Sequence, residues 1–437
     1  MSNKKRIWLI TLLIIGLIVT ITGGSIFIGI WFRPIKVIEI SDNKDFTRKY
    51  HFPGKGTEEN PYIIEGYTLS GNSHYNILIR DVSKYFIIRN CVLEGSNKGI
   101  NLYHVENGFA RIENNTIRNN EFGILIESCN NFIIKGNEFE DNSRGIETSI
   151  IGNGLIKDNL FLNSGDAGMF LSQDYNITIQ NNIFNKCHNG FFIFDSVLVS
   201  IKGNTFSNCS RSSFEAQYIN NINIRNNTAV DCEYGYNVVY SENVVFSKNN
   251  FTKTKDCIWA SYSDKVVIEQ NYCIASETEG ISAFGISNGQ IYNNTMVSNA
   301  EEGLYIWSSF QVEVYSNSCY NNTIGLKVLR SNVIDVTNNT FEHNLEYGVV
   351  TKGANTTIWN NNFINNDYTN ISTINSQAKV DGNYTDYVGL PIWYNNNTQQ
   401  GNYWSDLTWS LGVEYLIDPG NHTDKYPLEL PVEIKIS

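Results

Sequence analysis

Glu127 and Glu147 are the pair in this 437-residue chain whose type and placement best suit bond-breaking chemistry. Inverting hydrolysis of a glycosidic bond needs two carboxyls about 6.5–9.5 Å apart, one of them kept protonated. Asp174 and Asp195 are further acids of the same kind. The second chemical group is aromatic: Phe170, Phe192, Phe194, Trp259, Phe284, Tyr305 and Trp307, with Glu215 among them. Rings stack on the apolar faces of sugars while carboxylates accept hydroxyl hydrogens, so this mixture suits a long saccharide. These residues are far apart in the chain and reach one face only if a regular element carries them there.

That element is a repeat. "KGNEFEDNSRG" (135 to 145) and "KGNTFSNCSRS" (202 to 212) share one phrase, an asparagine followed two places later by an apolar residue. The asparagines are Asn90, Asn115, Asn137, Asn159, Asn182, Asn204, Asn227, Asn249, Asn271, Asn294, Asn317, Asn339, Asn361 and Asn383. After a first step of 25, every interval is 22 or 23 residues. Self-similarity at this period means a solenoid. Leucine-rich repeats also place an Asn before an apolar residue, but here the apolar residues are Ile, Val and Phe, and no unit has a helical half. Instead, fourteen residues before most of the asparagines stands Gly-apolar-x-apolar, as at Gly123, Gly145, Gly168, Gly190, Gly235, Gly280, Gly303 and Gly325. Short alternating segments between turn residues predict an all-β chain, a single-stranded parallel β-helix of several strands per coil.

The asparagine then has a physical role. Coils in register bring equivalent residues about 4.8 Å apart, so a buried turn Asn can bond to the Asn above and below it. Its amide supplies donors and its oxygen an acceptor, satisfying groups that are costly to bury. The apolar residue two places on points inward. About thirteen such steps make a rod on the order of 60 Å long, whose open ends need covers.

Outside the repeat, Lys4, Lys5 and Arg6 precede an almost purely apolar run from Ile7 to Phe32. At about 1.5 Å per residue this run, as a helix, crosses a hydrocarbon core of about 30 Å. The expectation is a single-pass membrane anchor with the N-terminus inside and the bulk of the chain extracellular; a long cleaved signal peptide is the alternative. The organisation expected is a transmembrane helix over 1–33, a linker and cap over 34–60, the β-helix over 61–383 and a C-terminal cap over 384–437, with Trp393, Trp404, Trp409 and Tyr415 seated on the last coil. The net charge of −12 excludes a nucleic-acid partner, which needs clustered Lys and Arg.

The opening piece "GKGTEENPYIIEGYTL" (54 to 69), the coils, and the closing pieces "GNYWSD" (401 to 406) and "DKYPL" (424 to 428) resemble the NosD-like right-handed parallel β-helix proteins, of the kind found in archaeal surface proteins. These belong to the wider class of β-helix repeats found in carbohydrate-binding proteins and sugar hydrolases. The resemblance implies a right-handed coil, an Asn ladder between the second and third sheets, and a first sheet formed by the Gly-apolar-x-apolar strand. In pectin-degrading relatives the outer face of that sheet carries the active groove. It also implies an association with copper delivery to an extracytoplasmic enzyme.

Within the first-sheet strand, positions one and three after Gly point in, and positions two and four point out. The outward set contains the aromatic residues above, with Glu127, Glu147 and Glu215 towards its N-terminal end. An exposed patch of that extent marks a binding surface, although rings stacked on one another between coils would give the same pattern. Strand spacing and rise put Glu127 and Glu147 roughly 8 Å apart. A lyase would need an arginine base and calcium-binding carboxylates on this face, and the outward positions carry no Arg. Cys187, Cys209 and Cys232 each lie five residues after a ladder Asn, where other coils have Asn or Ser, and read as a buried stack or one disulfide. Three methionines and six dispersed histidines form no soft-ligand cluster, so no metal and no cofactor is expected. Asn-x-Ser/Thr sequons recur along the chain, some within the ladder phrase itself, and suit an external glycoprotein.

The sequence therefore points to a membrane-anchored, extracytoplasmic β-helix that binds polysaccharide or surface glycan along its first sheet. The alternatives are a glycan-cleaving enzyme centred on Glu127 and Glu147, and a NosD-like accessory protein that docks a metalloenzyme or transporter.

Overall fold

One repeat unit shows how the chain builds each coil. Phe122–Glu127, Asn130–Lys135 and Glu138–Glu140 are three short strands separated by sharp turns. Inward and outward side chains alternate in each, so Ile124, Ile126, Phe132, Ile134 and Phe139 are buried. The turns need left-handed backbone, and Asn or another small polar residue commonly supplies it, as at Ser128 (φ 52°) and Asn131 (φ 56°).

In the computed structural model the chain is described over residues 15–22, 25–32, 36–71, 74–105, 109–366, 378–380, 391–407, 414–417 and 422–433. The three strands of each unit pair in parallel with their counterparts one repeat on: Leu125 faces Glu147, Ile133 faces Leu155, and Phe139 faces Phe161. Repetition builds three sheets of 15, 14 and 15 strands around one core. The predicted all-β coil of about thirteen turns is what forms. The residue two places after each ladder Asn does point inward. Phe139, Phe161, Phe184 and Phe206 stack along the axis with ring centroids 4.7, 4.7 and 4.9 Å apart.

The ladder runs between the second and third sheets. Each Asn gives its backbone N–H and its Nδ2 to the Oδ1 of the next, as from Asn182 to Asn204 at 2.9 and 3.0 Å. Nδ2 also reaches a main-chain carbonyl one coil back, as from Asn204 to Ile179 at 3.0 Å. The chain of bonds is continuous from Asn115 through Asn137, Asn159, Asn182, Asn204, Asn227, Asn249, Asn271, Asn294, Asn317 and Asn339 to Asn361.

Its ends differ from expectation. Asn90 is exposed, with φ 53°, and gives its amide to Glu65; the ladder position in that coil is Cys91, whose N–H donates to Asn115. The first spacing of 25 was thus one residue too long for the ladder. At the far end Asn361 bonds to Asn402 at 3.0 Å, not to Asn383, which lies outside the described residues. Asn402 in turn gives its N–H to Asp424 at 2.6 Å, and that carboxylate ends the series. Burial pushes Asp424 up to about 6.

Both ends of the core are covered. Asp45–Arg48, a single helical turn, puts Phe46 against Tyr62 and Phe86, 4.6 and 5.8 Å between centroids. Trp404 lies between Phe363 and Tyr415 at 4.1 and 3.9 Å, beside buried Trp393. Trp409 lies outside the described residues.

The apolar N-terminal run differs from the expected helix. Ile15–Thr22 and Ser25–Phe32 pair antiparallel, which their Ile, Val, Thr and Phe content favours. Among the described residues, no helix is long and apolar enough to cross a membrane.

Candidate functional site

The first sheet places the outward residues. Its Gly positions press the strand onto the core: a Cβ at Gly145 would stand 2.5 Å from the Gly168 carbonyl oxygen and 2.6 Å from the Phe161 ring. With the strand so seated, Ile146, Met169, Phe191 and Phe214 fill the interior, and Glu147, Phe170, Phe192 and Glu215 line up outside in register.

The aromatic track resolves into parts with different chemistry. Phe170 and Phe192 stack on each other at 5.3 Å, and the Arg144 guanidinium covers Phe170 at 4.5 Å. From Phe194 a second series runs along the axis through Tyr218, Tyr240, Tyr262 and Phe284 to Trp307, with centroid steps of 5.5, 5.3, 5.2, 4.8 and 4.8 Å. Trp307 also stacks on Tyr305 at 6.2 Å. Tyr218, Tyr240 and Tyr262 are exposed but were not legible as part of the track, because they sit one residue past the strand, at φ 57°, 52° and 47°. Tyr240 has both faces occupied by its neighbours, with planes within 11° and 15° of parallel, so it offers solvent an edge and a hydroxyl.

Trp259 is different. Among the described residues no ring contact joins it to this series; it lines a cavity of about 480 Å³ with Arg211, Glu215, Asn237, Lys255 and Asp256. Its strand neighbours are Asn237 on one side and Ser282 on the other. The Oδ1 of Asn237 and the Oγ of Ser282 are buried without a hydrogen-bond partner. An indole flanked by two unpaired polar atoms is unusual, because leaving such groups unmet costs about 1–3 kcal/mol each.

Acids gather at the same place. Asp256, Glu279 and Glu302 each occupy the residue just before the first-sheet Gly position, at successive coils, as the pairings of Cys257 with Gly280 and of Gly280 with Glu302 show. Burial first, then the neighbouring Asp256 carboxyl, pushes Glu279 well above the usual carboxylate range. Thr278 gives its hydroxyl to Asp256. Lys327 pairs with Glu302 at 2.5 Å. One carboxylate oxygen from each of Glu279, Glu301 and Glu302 lies within 4.8 Å of the others, so these are the residues that could hold a metal. In the sequence these acids stand just before the Gly position, in "KDC", "TEG" and "EEG", outside the Gly-apolar-x-apolar strand itself.

The proposed catalytic pair lies elsewhere. Glu147 faces Leu125, two positions from Glu127, as the register requires. Arg144 binds Glu147 at 2.6 Å and Asp166 at 2.6 Å, making Glu147 a member of an ion-pair cluster. Asp174 is a structural acid: buried, it accepts the Thr148 hydroxyl at 2.6 Å and the Ile151 N–H at 3.1 Å, and burial pushes it up to about 7. Asp195 stands exposed in the neighbouring turn. Glu215 accepts from Gln217 at 2.9 Å on the cavity wall. Cys187, Cys209 and Cys232 form the buried stack, and all eight cysteines are free thiols. They interrupt a second ladder that Asn120 and Asn142 begin and Asn299, Asn322, Asn344 and Asn366 resume.

A coil of parallel strands with this register and these ladders defines the right-handed parallel β-helix class. Two family models match successive stretches of the chain: the right handed beta helix region over residues 75–210, and the periplasmic copper-binding protein (NosD) over residues 210–345. The chain is a NosD-like β-helix repeat protein. No curated protein matches it. Solved structures of similar fold include the periplasmic alginate epimerase AlgG, 13% identical over 81% of each chain with a TM-score of 0.42. Tailspike protein 3 of bacteriophage CBA120 is 9% identical over 87% of this chain and 66% of that one, with a TM-score of 0.43. PfbA, a surface adhesin of Streptococcus pneumoniae, is 12% identical over 70% of this chain and 82% of that one, at 0.39.

Proposed function

We propose that the protein is a membrane-anchored, extracytoplasmic scaffold that binds polysaccharide or surface glycan on the outer face of its first sheet. The observation that carries this reading is Trp259, with the unpaired Asn237 Oδ1 and Ser282 Oγ on either side of it and the cavity beside it. A pyranose laid on the indole has hydroxyls at its rim that can pair with both atoms. Phe194, Phe284, Tyr305 and Trp307 extend the surface along the axis, and Phe170 and Phe192 widen it towards the N-terminal end.

The anchor rests on the apolar run of residues 7–32. An isolated two-stranded pairing leaves backbone N–H and C=O groups unmet along its outer edges, which hydrocarbon cannot satisfy; a helix satisfies them within the segment. An anchor of this kind requires the run to be helical in a bilayer, in place of the pairing of Ile15–Thr22 with Ser25–Phe32. Copper handling is less well supported, because every cysteine is buried and Met169 and Met296 lie in the core.

A glycan array probed with the purified protein tests the reading. Retention without cleavage is expected, and Trp259→Ala should weaken retention about tenfold, roughly 1.4 kcal/mol, on the scale of an aromatic anchor at a binding site. Undiminished retention by Trp259→Ala overturns the site. Cleavage of a retained glycan overturns the scaffold reading in favour of an enzyme.

A further inference from the structure

The outer face of the second sheet carries a charge pattern that the coil itself does not require. At the N-terminal end of its last outward column the signs alternate through Glu65, Arg89 and Glu113, as charges opposite one another on neighbouring strands should. Glu65 pairs with Arg89 there at 3.0 Å. From the next coil the same column reads Lys135, Lys157, Gln180, Lys202 and Arg225, each facing the one before it. Lys135 against Lys157, and Lys202 against Arg225, set like charges directly opposite, which destabilises a sheet. Lys135 and Arg225 are exposed, and the three between them are half-exposed.

The surroundings supply no counter-charge. The strands that carry the row, Asn130–Lys135, Gly152–Lys157, Tyr175–Gln180, Val197–Lys202 and Asn220–Arg225, contain no Asp or Glu, in a chain with 44 of them and a net charge of −12. Among the described residues, none of the four cations forms an ion pair. Elsewhere the fold matches its cations with acids one coil away, Arg118 with Glu94 at 2.7 Å and Lys265 with Glu242 at 2.6 Å. The acids nearest the row are otherwise placed. Glu113 is held by Arg111 at 2.5 Å, Asp158 accepts the Asn181 amide at 3.4 Å, and Glu138 lies on the third sheet. Thr178, Ser200 and Asn223 face outward beside the row, each between two buried apolar residues of its strand.

We propose that this row is a docking surface for a linear carboxylated polysaccharide, a polyuronate, laid along the axis of the rod. Four coil steps spread the cations over roughly 19 Å. A polyuronate carries one carboxylate per sugar, a repeat comparable to one coil, and the long Lys and Arg side chains take up the mismatch. Ammonium and guanidinium groups make charge-assisted hydrogen bonds to carboxylates. Thr178, Ser200 and Asn223 offer hydroxyl and amide partners to the sugar hydroxyls alongside. The row is one cation wide, which suits a chain better than the flat surface of an anionic bilayer. Single-stranded nucleic acid needs rings on which its bases stack, and the one exposed ring on these strands, Tyr175, stands at the far end of its strand from Gln180. This surface lies on the second sheet and does not depend on what Trp259 holds on the first.

Fluorescence anisotropy of an end-labelled β-1,4-oligoglucuronate that spans the row, titrated with the full-length protein, tests it against the neutral oligoglucoside of equal length. Saturable binding of the uronate is expected, tighter than that of the neutral chain at low salt and weakening as salt rises. Lys157→Gln with Lys202→Gln should weaken it about tenfold. Lys186→Gln with Lys253→Gln removes the same charge from exposed turns after third-sheet strands and should leave it unchanged. Trp259→Ala should bind the uronate as the parent does, so that failure here and failure of the first-sheet reading are told apart. Absence of binding, equal binding of charged and neutral chains, or full binding by the Lys157 and Lys202 double variant overturns the proposal. So does loss of uronate binding in Trp259→Ala, or tighter binding of phosphatidylglycerol vesicles or a single-stranded oligonucleotide than of the uronate.

Discussion

Asn204→Ala probes the feature on which the coil depends. In the native ladder the Asn204 Oδ1 accepts from the Asn182 backbone N–H at 2.9 Å and from its Nδ2 at 3.0 Å. The Asn204 Nδ2 donates to the Ile179 carbonyl and to the Asn227 Oδ1, both at 3.0 Å. Truncation to Ala removes all four bonds, but the losses are unequal. The Asn182 amide keeps its bond to Ile156, and the Asn227 Oδ1 keeps the Asn204 N–H. The Asn182 N–H loses its acceptor in a site 0% exposed, and an orphaned buried donor costs about 1–3 kcal/mol. The other lost bonds add roughly 0.5–1.5 kcal/mol each, partly offset by relaxation. The expected loss is on the order of 3 kcal/mol. Urea denaturation of the variant and parent measures it, with Asn223→Ala, an exposed mid-strand change in the next coil, as the control expected within about 0.5 kcal/mol of parent. A loss below about 1 kcal/mol, or one matching the control, would refute the argument that the ladder stabilises the stack.

Two further outcomes follow from buried groups. Asp174 titrates higher in the fold than in the unfolded chain, so the fold binds its proton more tightly; stability from this group is greatest below about pH 4 and falls as pH rises towards 7. Asp174→Asn keeps an acceptor for the Ile151 N–H and removes the buried charge, so it should be more stable than parent at pH 8 by on the order of 2–4 kcal/mol, with the difference vanishing near pH 4; equal pH dependence in thermal unfolding would count against it. All eight cysteines are buried thiols, so iodoacetamide should label none in the native protein and all eight in denaturant, and native labelling or a protected pair would contradict the stack.

Whatever recurs with the repeat can be read from the residues alone. A period of 22 or 23 leaves each coil the same problem as its neighbour, and the same residue solves it. That is why the ladder from Asn115 to Asn361, the inward Phe at Phe139, Phe161, Phe184 and Phe206, and the outward register of Glu147, Phe170 and Phe192 were all legible. Where the period breaks, the repeat no longer indicates the residue: Cys91, not Asn90, takes the ladder position, and Asn402 and Asp424 follow Asn361. The chemistry of the outer face depends on the folded arrangement. Whether a ring such as Tyr240 is covered by its neighbours or stands beside a cavity like Trp259 depends on side chains in three coils at once. The acids at 279, 301 and 302 meet because two adjacent coils happen to carry them at one corner. Periodicity sets where each side chain starts, and only packing against non-equivalent neighbours sets where it ends.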